Sequence, residues 1–325
     1  MGTVSEAGVR TAPEPSPGHP ASTYAPPIDQ PARVVSSRVN IRTRLGDIWR
    51  ARELFIFLVR RDLKVKYKNS FLGFLWSMVN PAIVLLVYYV VFQYILKAGI
   101  PDFALYLFSG LIVWNMFSTA LSASTGAIVG SAGIVKKVAF PREILALAQV
   151  GTATVFFFFQ AVVLVVFLLG FQYAPKWSYL PLVLWGLVDL VVLTSAAAIF
   201  LSSVNVYFRD VEHLILVALQ AWFWAVPIIY SYNLVYDLFR RHHLLVLAHL
   251  YLIDPITPIV LVFQRAFYGK VVVSTPTNHH YIVLSTYPYH FYVAVLAALL
   301  AVGFVLFLLS MLVFARIEGN FAQEL

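Results

Sequence analysis

Residues 60–81 read RRDLKVKYKNSFLGFLWSMVNP and join a basic cluster to a long apolar run. No charged residue occurs between Phe71 and Leu96. Cations that stop where the apolar sequence begins are typical of a chain that enters a bilayer from its positive, cytoplasmic side. This junction therefore predicts the orientation of all the membrane spans that follow it in the chain. The cations before Ser70 are Arg60, Arg61, Lys64, Lys66 and Lys68.

The composition predicts an integral membrane protein. Of the 325 residues, 61% are apolar and only 12% are charged, whereas about a quarter of a soluble domain is charged. The net charge is +8, but twelve of the 23 Lys and Arg residues precede Phe71. That distribution indicates topology and anionic lipid, so we expect membrane lipid and no nucleic acid as a partner. The absence of cysteine excludes disulfides, thiolate metal sites and a cysteine nucleophile.

Three regions are predicted along the chain. Residues 1–40 form a proline-rich tail that we expect to be disordered, because it has little apolar surface to bury. Residues 41–69 show a helical apolar stripe that Arg52 interrupts, which predicts two amphipathic helices in the cytoplasmic interface. An ordinary solvated helix packed on a partner is the alternative. Residues 70–325 form the transmembrane domain.

Six membrane spans are predicted, each near the 20 residues that a bilayer crossing needs. With both termini inside, seventeen Lys and Arg residues lie on the cytoplasmic side and six outside, as the positive-inside rule requires. We therefore predict a multi-pass protein of the plasma (inner) membrane with cytoplasmic termini. The spans are Phe71–Leu96, Phe103–Gly130, Ile144–Gly170, Tyr179–Val204, Leu214–Tyr230 and Tyr292–Phe314.

The external segment 233–289 contains apolar stretches that are too short or too interrupted to cross. Such segments are typical of re-entrant helices buried against protein. We predict an all-α fold with a re-entrant helical hairpin between spans five and six. Asp189, near the middle of its span, must face protein or water because a lone carboxylate in lipid is costly.

Aromatic residues in and near the spans suggest a path for sugars, since flat π-faces attract the weakly positive C–H groups of sugar rings. An interfacial aromatic belt explains them equally well. The candidate channel residues are Tyr88, Tyr89, Phe92, Trp114, Trp222, Trp224 and Tyr230.

No phosphate-binding Gly-x-x-x-x-Gly-Lys-Ser/Thr sequence occurs. If ATP drives this protein, the nucleotide must bind to another chain, and the loops at residues 136–143 and 205–211 could receive that chain. We expect no cofactor in this chain, with ATP and magnesium on the partner. The predicted contacts are Lys136, Lys137, Phe140, Pro141, Arg142, Glu143, Arg209 and Asp210.

Residues from about 45 to 325 resemble the permease subunits of type-2 ABC polysaccharide and O-antigen exporters (Wzm-type). Four stretches carry the resemblance, with Lys66 a mild departure from the arginine usual in the family. They are Lys66-Tyr67-Lys68-Asn69-Ser70 with Leu72-Gly73, Phe108-Ser109-Gly110-Leu111, Phe140-Pro141-Arg142-Glu143 and Tyr207-Phe208-Arg209-Asp210-Val211.

The resemblance implies a homodimer around a central channel, with two separate ATPase subunits bound below. It implies a polyprenyl-diphosphate-linked glycan as cargo, and the tail and external loop look most like the mycobacterial-type branch that exports galactan. It also implies interface and gate roles for Trp49, Arg61, Lys66, Tyr67, Ser70, Gly73, Trp76 and Pro81.

Two other classes stay open at this point. A membrane glycosyltransferase would need a general base, and the external acids Asp102, Asp237 and Asp254 have no motif around them. A secondary lipid or glycan flippase should show internal repeats and paired intramembrane charges. Because neither pattern is evident, we expect a permease subunit that is not itself an enzyme.

Overall fold

The computed structural model describes residues 41–66, 68, 75–96, 100–170, 172–243, 246, 251–274 and 280–325. The predicted disordered tail lies outside these residues. The described chain is predominantly helical, as predicted, and it includes one small β-ribbon that the sequence analysis did not foresee.

Two helices form the N-terminal region. Helix α1 spans Ile41–Arg50 and helix α2 spans Arg52–Lys66, so the predicted interruption of the stripe at Arg52 coincides with a break between helices. Leu58 and Val59 of α2 are buried. Their neighbour is Gly151, where a Cβ atom would lie only 2.7 Å from the Phe55 ring and 3.0 Å from Val59. The missing side chain lets α2 approach a long helix closely.

Among the described residues, five helical segments are long and apolar enough to cross a membrane. The first continues past α3 as a π-helix, Val90–Ile95, and the fourth includes a 3₁₀ turn, Trp177–Tyr179. The principal helices are α3 (Trp76–Tyr89), α4 (Phe103–Thr125), α7 (Glu143–Gly170), α8 (Leu180–Tyr207) and α12 (Tyr289–Ile317).

Helix α4 lies at the centre of the molecule. Most of its residues are buried against α7, α8 and a short apolar helix, α11 (Ile256–Phe267). Helix α12, by contrast, has only a few buried residues and packs mainly on α8. Asp189 of α8 is completely buried, so it faces protein, one of the two environments that its mid-span position requires.

The predicted fifth span, Leu214–Tyr230, corresponds to a shorter helix. Helix α9 spans Asp210–Ala225, and its 16 residues rise about 24 Å, less than the ~30 Å hydrocarbon thickness of a bilayer. Only Leu219 of this helix is buried. The span count of six therefore stays a prediction.

The described part of the segment after α9 includes helices α10 and α11 and the ribbon. Helix α10 spans Tyr232–Arg241, and α11 is buried along nearly its whole length. Strands β1 (Val272–Ser274) and β2 (His280–Ile282) pair antiparallel, with Val273 opposite Tyr281. The burial of α11 agrees with the expected packing of the re-entrant segment against protein. Its insertion into the outer leaflet stays a prediction.

Short helices complete the chain. Helices α5 (Ala127–Gly130) and α6 (Ala132–Val135) follow α4, and a 3₁₀ turn, Glu318–Asn320, leads from α12 to α13 (Phe321–Glu324). Together with α2 and the start of α7, they enclose a separate apolar cluster that includes Ile144, Phe314 and Phe321. This end of the molecule is called the elbow end below.

Candidate functional site

Two loops at the elbow end carry the predicted partner contacts. The first elbow, residues 136–143, lies between α6 and α7. Lys136 and Lys137 are exposed, and so is the apolar Val138, at 56% of its surface. Phe140 and Pro141 are half-buried. The first elbow thus presents two cations beside an exposed apolar side chain, and such an apolar side chain is a candidate contact for another protein.

Arg142 and Glu143 of the first elbow are occupied within the chain. The Arg142 Nη1 atom donates a 2.8 Å hydrogen bond to the Glu318 carbonyl oxygen, and its guanidinium lies 5.8 Å from the centre of the Phe321 ring. Glu143 is 1% exposed and accepts from Arg44 of α1. Both side chains therefore hold the first elbow against the rest of the chain.

Arg44 joins three separate parts of the chain. Its guanidinium donates to the carboxylates of Glu143 and Glu318. Burial by itself lowers the Arg44 pKa, but the two carboxylates outweigh that effect and raise it. The guanidinium thus stays charged and ties α1 to the starts of α7 and of the C-terminal turn, residues 317–321.

The second elbow, residues 205–211, connects α8 to α9. Phe208 is 67% exposed, and Arg209 and Asp210 beside it are exposed as well. Asn205 is buried and accepts a 3.1 Å hydrogen bond from the Glu212 backbone N–H. This bond satisfies one of the free N–H groups in the first turn of α9.

Both elbows contact the same C-terminal turn. The Tyr207 hydroxyl donates a 2.7 Å hydrogen bond to the Ile317 carbonyl oxygen, and the Tyr207 and Phe321 rings lie 6.1 Å apart. Arg142 donates to the carbonyl oxygen of Glu318, the next residue of the turn. The C-terminal turn therefore links the two elbows. The sequence analysis did not foresee this role for residues 317–321.

Val138 and Phe208 are exposed apolar side chains that the residue-by-residue prediction did not select. Both lie inside the predicted elbow sequences, but the individual contacts selected there were mainly charged. A large apolar side chain inside a short polar loop is the sequence signal that could have identified them, since an exposed apolar anchor is typical of an interface.

Three of the predicted gate residues, Lys66, Trp76 and Pro81, line one cleft. Trp49 and Arg61 are described as well but do not belong to that lining. Trp49 and Trp76 are exposed, at 71% and 47%, while Pro81 is buried inside α3. Arg61 Nε donates to Asp62 Oδ1 at 2.9 Å, and Asp62 Oδ2 also accepts from Gln149 of α7. The ammonium group of Lys66 lies 4.1 Å from the centre of the Phe156 ring. The other predicted gate residues, Tyr67, Ser70 and Gly73, lie outside the described residues.

Several predicted channel residues pack together inside the protomer. Trp114 is 6% exposed, and its ring centre lies 5.6 Å from that of Phe223 and 6.4 Å from that of Trp222. Tyr88 also stacks on Phe223, with ring centres 6.4 Å apart. These four aromatic side chains are thus part of the packed interior between α3, α4 and α9.

The remaining channel candidates are spread along the same helices. Tyr89 and Phe92 are half-buried in α3 and its π-helical extension, and the Phe92 ring stacks on Phe103 at 5.4 Å. The Tyr230 hydroxyl donates to the Trp224 carbonyl oxygen at 2.8 Å. Trp224, in contrast, exposes 56% of its surface, so its ring is available to a ligand or a neighbouring subunit.

Asp254 connects the aromatic cluster to the start of α11. Its Oδ1 accepts a 2.8 Å hydrogen bond from Trp222 Nε1, and its Oδ2 accepts from the Thr257 N–H at 2.9 Å and from the Thr257 hydroxyl at 2.6 Å. Asp254 therefore caps α11 and fixes the orientation of the indole ring.

Comparison with protein families places the chain. The model of the family described as ABC-2 type transporter matches residues 53–268, a range that includes both elbows and α11. The chain belongs to the ABC-2 type transporter family.

Individual members of the ABC-2 family have related sequences. The O-antigen export system permease protein RfbA of Klebsiella pneumoniae is 26% identical over 277 residues, which cover 84% of this chain and 95% of that protein. The protein of the same name from Myxococcus xanthus is 33% identical over 224 residues, which cover 68% of this chain and 83% of that protein.

A third relative transports a different polymer. The polysialic acid transport protein KpsM of Escherichia coli is 27% identical over 168 residues, covering 50% of this chain and 64% of that protein. The resemblance to ABC-2 permeases of polysaccharide and O-antigen exporters is thereby confirmed. The matched family range is narrower than residues 45–325, but the Klebsiella relative extends the similarity over most of the chain.

Proposed function

We propose that this chain is the membrane-spanning subunit of an ATP-driven exporter that moves a polyprenyl-diphosphate-linked polysaccharide outward across the bacterial plasma membrane. The observation that carries this proposal is the similarity to O-antigen export permeases over up to 84% of the chain. In this scheme the chain binds and conducts the cargo, while ATP and magnesium bind to a separate subunit. The permease itself catalyses no reaction.

The elbow end supports docking of two copies of an ABC ATPase subunit, one on each protomer. Val138 and Phe208 supply apolar anchors, and Lys136, Lys137 and Arg209 surround them with cations. Hydrogen bonds from both elbows to the C-terminal turn connect the elbows to α7, α8 and α12. A displacement of either elbow would therefore be passed on to these helices. Movement of the ATPase subunits would thus reach three long helices at once.

A six-span topology follows if α9 supplies the remaining crossing. Its exposed apolar side chains, such as Leu214 and Val217 at 65% and 68%, are compatible with lipid or with a second protomer. An even number of crossings returns the C-terminus to the side of the N-terminus. The excess of Lys and Arg at that end supports a cytoplasmic location for both termini.

A homodimer completes the proposed channel. Helix α3 leaves Ile83, Leu86 and Val87 more than half exposed, and α9 leaves a similar apolar face. A second copy that covers these faces would place the two α3–α9 pairs around a shared path. The exposed Trp224 of each protomer would then offer its ring to a glycan in that path.

The segment between α9 and α12 suits an outer gate. In this proposal, α10 and α11 form the re-entrant hairpin, with α11 buried against α4 and α8. Helix α10 keeps Leu234 and Leu238 exposed one turn apart, 66% and 53%, as expected of a helix lying in a leaflet. Cell-wall galactan is the cargo to test first, because the proline-rich tail and external loop resemble the galactan-exporting branch.

Co-purification and reconstitution test the proposal. Tagged chain extracted from its native membrane should bring down an ABC ATPase in equal amount, and proteoliposomes with both subunits should export lipid-linked glycan only with ATP. A partner that cannot hydrolyse ATP should abolish export. Export that continues with that partner would indicate a secondary flippase, and sugar transfer by the chain alone would indicate a glycosyltransferase.

A further inference from the structure

A cleft of about 410 Å³ lies between the end of α2 and helices α3, α4 and α7. It is distinct from the aromatic cluster around Phe223. The cleft carries one cation and several hydrogen-bonding side chains. Residues that define its chemistry are Lys66, Asn80, Asn115, Thr119, Phe156 and Gln160.

The side chain of Lys66, at the end of α2, lies beside the middle of α7. Its ammonium lies 4.1 Å from the centre of the Phe156 ring, and Phe156 is in the middle of the 28-residue helix that begins at Glu143. Thirteen residues of helical rise place that ring about 20 Å from Glu143. Helix α2 thus brings a lysine alongside the middle of a predicted span, where an isolated charge is costly.

Within the described part of the chain, no carboxylate forms an ion pair with Lys66. Asp62, one turn earlier in α2, is engaged by Arg61 and Gln149. Among the described residues, the Lys66 ammonium therefore has no acidic partner. An anion beside the ammonium would offset the cost of that isolated charge.

The walls of the cleft supply hydrogen bonds beyond the lysine. Asn115 Nδ2 donates to Gln160 Oε1 at 2.9 Å, which holds these two amides in place. Asn80 and Thr119 are exposed, so an amide and a hydroxyl are available to a ligand. Polar groups exposed along predicted spans do not match lipid chains, which offer no hydrogen bonds.

We propose that this cleft binds the phosphate of a lipid together with its hydroxyl-bearing headgroup. Lys66 is the counter-ion of the phosphate, while Asn80 and Thr119 hydrogen-bond the headgroup hydroxyls. Two membrane components share this chemistry: a phosphatidylglycerol and a polyprenyl-phosphate sugar. Assignment to the second rests on the proposed function: the polyprenyl-phosphate sugar then stands in for the lipid-proximal end of the diphosphate-linked cargo, which the cleft would hold.

Native mass spectrometry of the purified full chain tests the site by measuring which lipids the protein retains. The probes are phosphatidylglycerol, a polyprenyl-phosphate sugar, bare polyprenyl phosphate, and a glycosyl diacylglycerol, which has hydroxyls but no phosphate. The wild type should retain at least one phosphate probe with a hydroxylated headgroup more strongly than the glycosyl diacylglycerol. Lys66→Gln should lower that retention about tenfold, as loss of a charge-assisted contact predicts, and Lys66→Arg should preserve it.

Lys64→Gln is the matched control, because Lys64 is an exposed cation on the same helix and does not line the cleft. Wild-type retention by Lys66→Gln, or an equal loss in the Lys64 and Lys66 variants, would overturn the proposal. The double variant Asn80→Leu/Thr119→Val should weaken the hydroxylated phosphate probes and spare bare polyprenyl phosphate. Equal loss of all phosphate probes in that variant would remove headgroup recognition from the proposal.

The probes also separate the two sources. Stronger retention of the polyprenyl-phosphate sugar supports cargo binding, and stronger retention of phosphatidylglycerol supports a resident lipid in the same site. No ATPase is present in these measurements. Failure of ATPase co-purification would therefore reject the proposed function alone, whereas failure of Lys66-dependent retention would reject the cleft alone.

Discussion

Arg142 of the first elbow donates a 2.8 Å hydrogen bond to the backbone carbonyl oxygen of Glu318, 176 residues away in the chain. This bond attaches the loop before α7 to the turn after α12. A residue selected as a partner contact thus serves first to connect two parts of the permease. Its exposed neighbours are better placed to meet another protein.

Arg142→Ala should impair both stability and coupling. The substitution removes the bond to Glu318 and the contact with the Phe321 ring, which together contribute on the order of 1–3 kcal/mol. We expect a lower thermal unfolding temperature and reduced ATP-dependent export at normal membrane levels. Unchanged melting and unchanged export would show that the link is dispensable.

Arg209→Ala should act differently, because Arg209 is exposed on the second elbow. Unfolding temperature should stay at the wild-type value, while the ATPase subunit should bind severalfold more weakly. The defect should be largest at low salt, where exposed charges contribute most to association. A titration of ATPase binding at two ionic strengths measures this, and equal binding by wild type and variant would exclude Arg209 from the interface.

Arg44→Met should destabilise the elbow end strongly. It leaves Glu143, which is 1% exposed, without its cationic partner, and breaking a buried ion pair in this way costs about 3–5 kcal/mol. Adding Glu143→Gln should recover part of that loss by removing the unpaired charge. Thermal unfolding measures the stabilities of the single and the double variant. A double variant less stable than Arg44→Met would contradict the expected recovery.

Gly151→Ala should push α2 away from α7. A Cβ atom there would lie 2.7 Å from the Phe55 ring and 3.0 Å from Val59, so overpacking should cost about 1–3 kcal/mol. Gly130→Ala is the control, since nothing lies within 4 Å of a Cβ atom at that position. Protease sensitivity of α2 should rise only in the Gly151 variant; equal sensitivity in both would reject close packing as the cause.

Asp254→Ala should loosen the start of α11. It removes the cap at Thr257 and the acceptor for Trp222 Nε1, with an expected loss of about 1–2 kcal/mol for the cap. Trp222→Phe isolates the indole bond while keeping an aromatic ring. If Trp222 also carries cargo by stacking, the Phe variant should export better than Trp222→Ala at matched stability; equal export would favour a purely structural role.

Local patterns predicted the helices because each pattern is set by neighbours in the chain. The break at Arg52 and the positions of the long apolar helices follow from side-chain periodicity and hydropathy. The small β-ribbon and the length of α9 did not follow. Three-residue strands have almost no alternating pattern to detect, and the end of α9 at Ala225 lies inside a continuous apolar run.

The candidate site was predictable as two loops but not as an assembly. Cations and apolar residues between spans marked the elbows, whereas burial of Glu143 and exposure of Phe208 depend on helices that arrive from elsewhere. Likewise, Trp114 and Trp222 were interpreted as candidate channel residues from composition alone. The contacts of Trp114 with Trp222 and Phe223 are a property of α4 and α9 together.

By itself, the sequence determined that this protein belongs in a membrane and to which family its motifs belong, while its orientation stays a prediction from the charge distribution. Those properties depend on local hydropathy, charge and short motifs. Only the tertiary structure decided that Arg44 joins Glu143 to Glu318, and that Lys66 lies beside Phe156. Such contacts join residues about 90 to 270 positions apart, and packing between helices, which no local pattern encodes, brings them together.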